Sequence, residues 1–199
     1  MKRESPLLAS LVVAGLAAIL LVLPQRYELL PRPLGAAVAI VLIAIVNRAY
    51  FSGEGSPWRR LEYYAVLVFA AIVTAVEIVI LSRLLDDMAF RNSQIGALPL
   101  LSTAVGIWLT NVVTFALFYW KIDAADFDFP TANSAKAPPN WEPSFIDYLF
   151  LAYNTSTAFS PTDALPITGR AKAFMMTQSL ISLVTIVAVA ARAINILGS

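Results

Sequence analysis

Five long runs of apolar residues divide this sequence and constrain its fold more than any other feature. A helix needs about 20 consecutive apolar residues to cross a bilayer, and the runs have about that length. Hydrophobic residues make up 59% of the 199 residues and charged residues only 14%, which is typical of a membrane protein. The pattern predicts an all-α membrane protein with five transmembrane helices. The predicted spans are Pro6–Pro24, Leu34–Tyr50, Leu61–Leu85, Ala97–Trp120 and Ala171–Leu197.

The connections between these runs divide the chain into two parts. One of them, Lys121–Pro143, is long and mildly acidic, and it ends in a stretch too rich in proline for a helix. We therefore expect residues 1–96 to form three peripheral helices and residues 97–199 to form a separate module. The other connections are short, contain Pro or Gly and predict tight turns, namely Gln25–Pro33, Phe51–Arg60 and Asp86–Gly96.

A short segment after the acidic loop is predicted to enter the membrane without crossing it. Ser144 and Asp147 form a capping-box pattern that begins a helix, and Pro161 must end it. A helix of about 14 residues reaches about 20 Å, which is short of the bilayer core of about 30 Å. We expect a re-entrant helix whose return segment, residues 158–166, lies in a protein-lined or wet cavity. The alternative, an amphipathic helix at the interface, needs a charged face that this segment lacks.

The polar string NTSTAFSPTDALPITGRAKAF occupies residues 154–174, between a predicted outer helix and a predicted inner helix. In this position the string resembles the pore module of tetrameric cation channels, and of potassium channels in particular. The resemblance implies a homotetramer with a pore loop, and it covers about half of the chain. The matching residues are the pore-helix threonines, the acidic residue after the filter and the lead into the inner helix, namely Thr155, Thr157, Asp163, Pro166, Gly169 and Arg170.

The filter itself departs from the potassium-channel pattern TVGYG. Potassium filters use glycine to aim successive carbonyl groups at a dehydrated ion. Pro161 instead fixes its own backbone and stiffens the return segment, so we expect side-chain oxygens to form the narrow point. This predicts weakly selective passage of monovalent cations or none, without preference for potassium. The residues opposite TVGYG are Ala158, Phe159, Ser160, Pro161 and Thr162, and Asp163 follows them.

Polar residues on the last predicted helix lie on one face and suggest a cavity lining. This face holds Met175, Gln178, Ser182 and Thr185. The alternative is a contact between helices, where hydroxylated residues are also common. Arg192 is expected to extend to the far interface of the membrane. Asp163 either adds a ring of four carboxylates to the pore or pairs locally, for example with Arg170.

Two further sets of polar residues lie deep within predicted spans. Glu77 is surrounded by apolar residues, where it either couples transport or takes part in an interhelical hydrogen bond or ion pair. Thr110, Asn111 and Thr114 lie about halfway through the fourth span, at the depth that the re-entrant helix should reach. We expect these three residues to hold the re-entrant segment by hydrogen bonds.

Composition excludes several other functions. The chain has no Cys and no His, and no pair of nucleophile and base, so we predict neither an enzyme nor a metal site nor any cofactor beyond monovalent cations in the pore. A net charge of +1 provides no basic stripe for nucleic acid. The leading hypothesis is thus cation passage through a tetramer in the bilayer. The alternatives are a non-conducting scaffold with the channel fold and a carrier coupled through Glu77.

Basic residues near the ends of the spans predict the orientation. With the N-terminus inside, nine of the 14 Lys and Arg residues lie on the cytoplasmic side, which the positive-inside rule favours. The resemblance to channels alone implies the opposite orientation, with the pore loop entering from outside. A likeness to a widespread group of small bacterial membrane proteins implies the inner membrane. The nine residues are Lys2, Arg3, Arg48, Arg59, Arg60, Lys121, Lys136, Arg170 and Lys172.

Overall fold

Four of the five predicted spans are helices long and apolar enough to cross a bilayer, so by length and composition the chain is a helical membrane protein. The structure is a computed structural model, and the residues it describes are 10–16, 18, 31–53, 55–90, 97–122, 126–129, 141–157 and 164–197. Within the first predicted span, residues 10–16 are helical and form α1. The rest of that run lies almost wholly outside the described residues, so a fifth span stays a prediction.

The helix bounds follow the sequence signals, with one correction. The third span is longer than predicted, since its helix begins at Pro57 and includes Asp86 and Asp87, which we had assigned to a turn. Proline suits the first position of a helix because the amide it lacks would have no partner there. The helices are α2 (Arg32–Tyr50), α3 (Pro57–Phe90), α4 (Ala97–Ile122), α5 (Phe145–Thr157) and α6 (Gly169–Leu197).

The central helix of the fold is α4, which packs against α3, α5 and α6. Within the chain, 61% of its span is buried, against 22–33% for the other three spans. The helix α2 packs on the outer side of α3, and Asn47 of α2 donates a hydrogen bond to Ser10 of α1 at 3.0 Å. The helices α4, α5 and α6 thus pack on one another and α3 packs on α4, whereas the division of the sequence into residues 1–96 and 97–199 stays a prediction.

A capping interaction sets the start of α5. The carboxylate of Asp147 accepts hydrogen bonds from the Ser144 amide at 2.7 Å and from its hydroxyl at 2.8 Å. Asp147 therefore bonds back to Ser144, the residue before the helix, as the capping-box pattern requires. The Ser144 hydroxyl, however, donates to this carboxylate and does not bond to the main-chain amide of Asp147. The helix has 13 residues, close to the length expected from the sequence.

Two short strands bring the chain back to the end of α4. Phe127–Asp128 (β1) pairs antiparallel with Leu165–Pro166 (β2), and the Ile167 amide donates to the Asp126 carbonyl oxygen at 2.8 Å. The segment that follows α4 and the segment that precedes α6 therefore lie side by side. The beginning of α5 lies at the same end, because the rings of Trp120 and Phe145 are 5.7 Å apart.

The end of α2 and the beginning of α3 also lie at this end of the helices. Lys121 near the end of α4 forms an ion pair of 2.6 Å with Glu62 near the start of α3. Arg170 at the start of α6 contacts the Ile122 carbonyl oxygen at 3.5 Å. We call this end the basic end, because the described residues there include Arg48, Arg59, Arg60, Lys121, Arg170 and Lys172.

Candidate functional site

A set of buried polar side chains lies where α4, α5 and α6 meet. In a membrane such groups have little access to water, so they need partners within the protein. The helices place them on facing surfaces, from about halfway along α4 to Tyr119 near its end. We call this set the polar core, and its members are Asn111, Thr114, Tyr119, Ser156, Gln178, Ser182 and Thr185.

Gln178 on α6 is the most highly connected member of the polar core. Its Nε2 atom donates to the carbonyl oxygen of Ala152 and to the hydroxyl of Ser156, both at 2.8 Å. Its Oε1 atom accepts a hydrogen bond from the hydroxyl of Tyr119 on α4. The side chain is 0% exposed. One amide group thus joins three helices and uses both of its ends to do so.

Asn111 on α4 extends the network. Its Oδ1 atom accepts from the hydroxyls of Ser156 at 3.3 Å and Ser182 at 3.0 Å. Because Ser156 also accepts from Gln178, the hydrogen bonds run continuously from Ser182 to Tyr119. Asn111 therefore holds the C-terminal part of α5, as the sequence led us to expect.

The threonines near the polar core bond mainly within their own helices. The hydroxyls of Thr155 and Thr185 donate hydrogen bonds to the main-chain carbonyl oxygens of Leu151 and Ile181, both at 2.8 Å. Thr110, which we had also expected to hold α5, instead donates to Gly106 at 2.8 Å. Such bonds satisfy the hydroxyl proton and leave the oxygen lone pairs directed away from the helix.

The C-terminal end of α5 lies about halfway along the two flanking helices. Tyr153 contacts Trp108 of α4 with ring centroids 5.8 Å apart, and the Ser179 hydroxyl of α6 donates to the Thr155 carbonyl oxygen at 3.4 Å. Trp108 precedes Trp120 by 12 residues, which corresponds to about 18 Å along α4. The helix α5 thus begins at the basic end and stops about halfway along α4.

A second polar cluster stabilises the basic end. Arg170 and Thr168 both donate hydrogen bonds to the carboxylate of Asp126, which is buried. Burial opposes ionisation, but the hydrogen bonds and the charge of Arg170 outweigh it and hold the pKa of Asp126 below its ordinary value. Arg170, which we had considered as a partner of Asp163, is therefore paired with Asp126.

Beyond its first turn the outward face of α6 is mainly apolar, although Thr177 and Ser179 are exposed on it, whereas Gln178, Ser182 and Thr185 point into the chain. These three residues contact α4 and α5 or their own helix, and Met175 is half-buried among the apolar residues of the core. The structure therefore places the polar stripe of α6 in a contact between helices of one chain. The large exposed side chains of α6 are Met176, Leu180, Leu183, Ile186 and Val187.

The remaining predicted site residues are placed only in part. Thr157 ends α5, and its hydroxyl donates a hydrogen bond to the main-chain carbonyl oxygen of Tyr153 at 3.0 Å. Ala158–Asp163, which contain the filter-like residues, lie outside the described residues. Arg192 belongs to α6, but its side chain also lies outside what is described.

Glu77 on α3 is 1% exposed and faces the polar core from a third side. Its carboxyl group interacts with the side chain of Asn111, yet no hydrogen bond within 3.5 Å joins them. The Nδ2 atom of Asn111 and the hydroxyl of Thr114 also lack a partner among the described residues. The polar core and Glu77 therefore hold several unsatisfied groups, of which the Asn111 amide faces Glu77 of α3.

Two residues of these clusters were missed by sequence reasoning. These residues are Tyr119 and Asp126, neither of which the sequence analysis singles out. For Tyr119 a signal existed, because a buried tyrosine hydroxyl usually finds a partner and an amide was available on α6. For Asp126 no local sequence pattern reveals the pairing, because its partner Arg170 lies 44 residues further along the chain.

A shallow apolar groove of about 360 Å³ runs between α4 and α6 beside the end of α5. Its walls include Ala104, Trp108 and Val189. The hydroxyls of Thr157 and Thr185, which also border it, donate to carbonyl groups of their own helices. The groove thus offers apolar surface and no charged group.

Comparison with protein-family models, curated proteins and solved structures finds no match to this chain.

Proposed function

We propose that this chain is a pore-loop membrane protein in which α4, α5 and α6 form the pore module of a homotetramer. The proposal rests on one observation: α5 begins at the basic end, stops about halfway along α4, and is followed by a strand at the basic end again. A helix of 13 residues is about 20 Å long, which is too short to cross a bilayer core of about 30 Å. In this proposal α5 is re-entrant.

The direction of α5 supports a preference for cations. Its C-terminal carbonyl groups carry partial negative charge, and they are directed towards the middle of the membrane. The Thr157 hydroxyl donates a hydrogen bond to the main-chain carbonyl oxygen of Tyr153. The lone pairs of the hydroxyl oxygen therefore remain available to a cation. Four such helix ends around an axis would attract monovalent cations and disfavour anions.

Weak selectivity follows from the sequence of the return segment. Selection of potassium requires several successive rings of carbonyl oxygens that replace the hydration shell. Pro161 and the lack of glycine in Ala158–Thr162 are unfavourable for that geometry. We propose that cations pass partly hydrated, with little discrimination between sodium and potassium.

The number of chains follows from the geometry of a pore loop. One chain supplies a single α5, which cannot enclose a passage, whereas a closed ring of copies can. In a ring of four, the apolar face of α6 with Leu180 and Leu183 would border the axis and the neighbouring chains. A narrow apolar section of this kind can gate ions by loss of water.

The distribution of basic residues supports a cytoplasmic location of the basic end, in the inner membrane of a bacterium. Six described Lys and Arg residues lie there, while Arg32, Arg83 and Arg192 lie towards the opposite end. In this orientation α5 enters the membrane from the cytoplasm, and a fifth span formed by the first apolar run would begin there too.

Measurement of reversal potentials tests the proposal. The protein is reconstituted in planar bilayers with opposing gradients of potassium and sodium chloride, with protein-free bilayers as the control. We expect a cation current whose reversal potential lies near zero. A reversal potential near the potassium equilibrium value would contradict weak selectivity. In a second gradient, of total potassium chloride alone, a reversal potential near the chloride equilibrium value would contradict cation preference.

A matched pair of variants assigns any current to the pore module. Gln178→Leu removes the bonds that hold α5, whereas Thr177→Val changes an exposed neighbour whose hydroxyl bonds within α6. We expect Gln178→Leu to change the conductance at least several-fold and Thr177→Val to leave it within the error. Equal currents in both variants would place the passage elsewhere.

The second candidate function is that of a non-conducting membrane scaffold with the channel fold. It is favoured by the inward orientation of Gln178, Ser182 and Thr185, which leaves few polar side chains on the outward face of α6 to line a cavity. A tetramer that gives no current under either gradient would support this candidate and contradict cation passage.

A further inference from the structure

Glu77 is a buried carboxyl group with no hydrogen-bond partner among the described residues. It lies in the middle of α3 and is 1% exposed, and neither Oε1 nor Oε2 has a partner. Its neighbours on the buried face of α3 are apolar and include Val73 and Ile80. An ionised group at such a depth costs at least a few kcal/mol, so a proton that neutralises the carboxylate removes this cost.

The polar side chain that faces Glu77 is Asn111 of α4. Its Oδ1 atom already accepts from Ser156 and Ser182, whereas Nδ2 has no partner. The amide therefore presents its N–H groups to the carboxyl group. Thr114, three residues further along α4, carries another buried hydroxyl without a partner among the described residues. These groups can satisfy a carboxylate and a carboxylic acid equally well, since the hydroxyl both donates and accepts.

A proton fits this site better than a metal cation. Sodium or potassium would need several oxygen ligands, but Asn111 directs its nitrogen towards Glu77 and its oxygen is already engaged. Among the described residues, no group of three or more His, Cys, Asp or Glu side chains is present. Among the described residues of α2, α3, α4 and α6, no Lys, Arg, Asp or further Glu interacts with its charge.

We propose that Glu77 is an intramembrane proton-binding site, in which the carboxyl group takes up and releases a proton while the Asn111 amide faces it. This goes beyond cation passage and does not depend on it. Asn111 also binds Ser156 near the end of α5. A change in the charge of Glu77 therefore acts, through one amide group, on the hydrogen bonds that position α5.

Labelling with dicyclohexylcarbodiimide tests the proposal in lipid vesicles. This apolar reagent reacts with protonated carboxyl groups: the carboxyl oxygen bonds to the central carbon of the carbodiimide, and the proton passes to one of its nitrogens. The O-acylisourea then rearranges to a stable N-acylurea, which mass spectrometry locates. We expect a label on Glu77 that decreases about tenfold for each pH unit above the point of ionisation.

Three variants make the test specific. Glu77→Gln is expected to abolish the label, whereas Glu62→Gln, which alters the carboxylate paired with Lys121 at the basic end, should leave it unchanged. In Asn111→Leu the donor that favours the ionised form is lost, so labelling should persist to higher pH. A role for Asn111 in packing alone would not move this pH dependence.

Infrared spectroscopy provides a second measurement if the reagent does not reach the site. The C=O stretching band of a protonated carboxylic acid should be present in the wild type, vanish as pH is raised, and be missing in Glu77→Gln at all pH values. If the difference spectrum between the wild type and Glu77→Gln lacks that band, the proposal is overturned. A Glu77 band that stays constant across the whole pH range would overturn it too, since the group would not exchange its proton.

Discussion

Gln178 of α6 donates a hydrogen bond of 2.8 Å to the main-chain carbonyl oxygen of Ala152 in α5. This contact joins a side chain of a spanning helix to the backbone of a helix too short to span. Because the same amide group also binds Tyr119 and Ser156, one side chain joins α5 to both α4 and α6.

Replacement of Gln178 by leucine should therefore destabilise the protein. Three hydrogen bonds are lost, and each such bond in a membrane contributes about 0.6 kcal/mol on average and up to about 1.7 kcal/mol. We expect the free energy of unfolding in mixed detergent micelles to fall by about 2 to 4 kcal/mol. Hydrogen exchange should increase in Phe145–Thr157 first. Thr177→Val is the control, and an equal loss in both variants would contradict a special role for Gln178.

The contact between Asn111 and Ser182 can be measured by a double-mutant cycle. The two side chains are 3.0 Å apart and belong to α4 and α6. We expect Asn111→Ala and Ser182→Ala to show a coupling energy of about 0.5 to 1 kcal/mol. The matched cycle of Asn111→Ala with Thr185→Ala should give a value near zero, because the Thr185 hydroxyl bonds within α6. Additive effects in both cycles would show that the first contact contributes no stability.

The ion pair between Asp126 and Arg170 should make stability depend on pH. An unfolded Asp has a pKa of about 3.9, and the folded pKa of Asp126 is lowered. The stabilisation is therefore complete above about pH 4 and is lost as the pH falls through the folded pKa. Asp126→Asn should lower the free energy of unfolding by about 1 to 2 kcal/mol at neutral pH, a modest value because the Arg170 side chain is largely exposed.

The exposed neighbour Asp128 provides the control for this experiment. Unfolding is followed for the wild type, Asp126→Asn and Asp128→Asn between neutral pH and about pH 3. The difference between the wild type and Asp126→Asn should shrink as the pH falls. A difference that does not change with pH would rule out a contribution from the charge of Asp126.

Cross-linking tests whether the outward face of α6 adjoins other copies of the chain. The protein has no cysteine, so a single introduced cysteine reacts without background. Leu183 on α6 and Val41 on α2 are both 58% exposed and form a matched pair. With a short bis-maleimide reagent in membranes, we expect Leu183→Cys to give cross-linked dimers and Val41→Cys to stay monomeric. Equal yields from both variants would contradict a ring around α6.

Reporter fusions test the orientation. If the basic end is cytoplasmic, the C-terminus after α6 lies on the opposite side of the inner membrane. A C-terminal alkaline phosphatase fusion should then be active, and a C-terminal green fluorescent protein fusion should stay dark. Fluorescence from the second fusion together with an inactive first fusion would invert the orientation and place the entrance of α5 outside.

Much of the fold could be predicted from the sequence because membrane spans are defined by length and hydrophobicity alone. The runs that became α2, α3, α4 and α6 have about the length that a bilayer requires. The ends of α5 could also be predicted from local sequence signals. Ser144 and Asp147 begin the helix, and it ends at Thr157, before Pro161. The bounds of α3 were less predictable, because its charged ends extend beyond the apolar run.

The direction in which the polar stripe of α6 points could not be predicted. Gln178, Ser182 and Thr185 lie on one face under any arrangement, but such a face satisfies its hydrogen bonds equally well in a wet cavity or against polar groups of other helices. The choice depends on where α4 and α5 place Asn111, Ala152 and Ser156, and residues so far apart in the sequence carry no common local signal.

The sequence by itself thus determined which segments enter the membrane and how long each is, because the bilayer acts on every segment separately. Only the tertiary structure decided which polar groups meet. Arg170 bonds to Asp126 because the pairing of β1 with β2 brings the two ends of the module together. Glu77 meets Asn111 because α3 packs on α4 at that depth. Contacts of this kind depend on the distance between helices, which no single segment encodes.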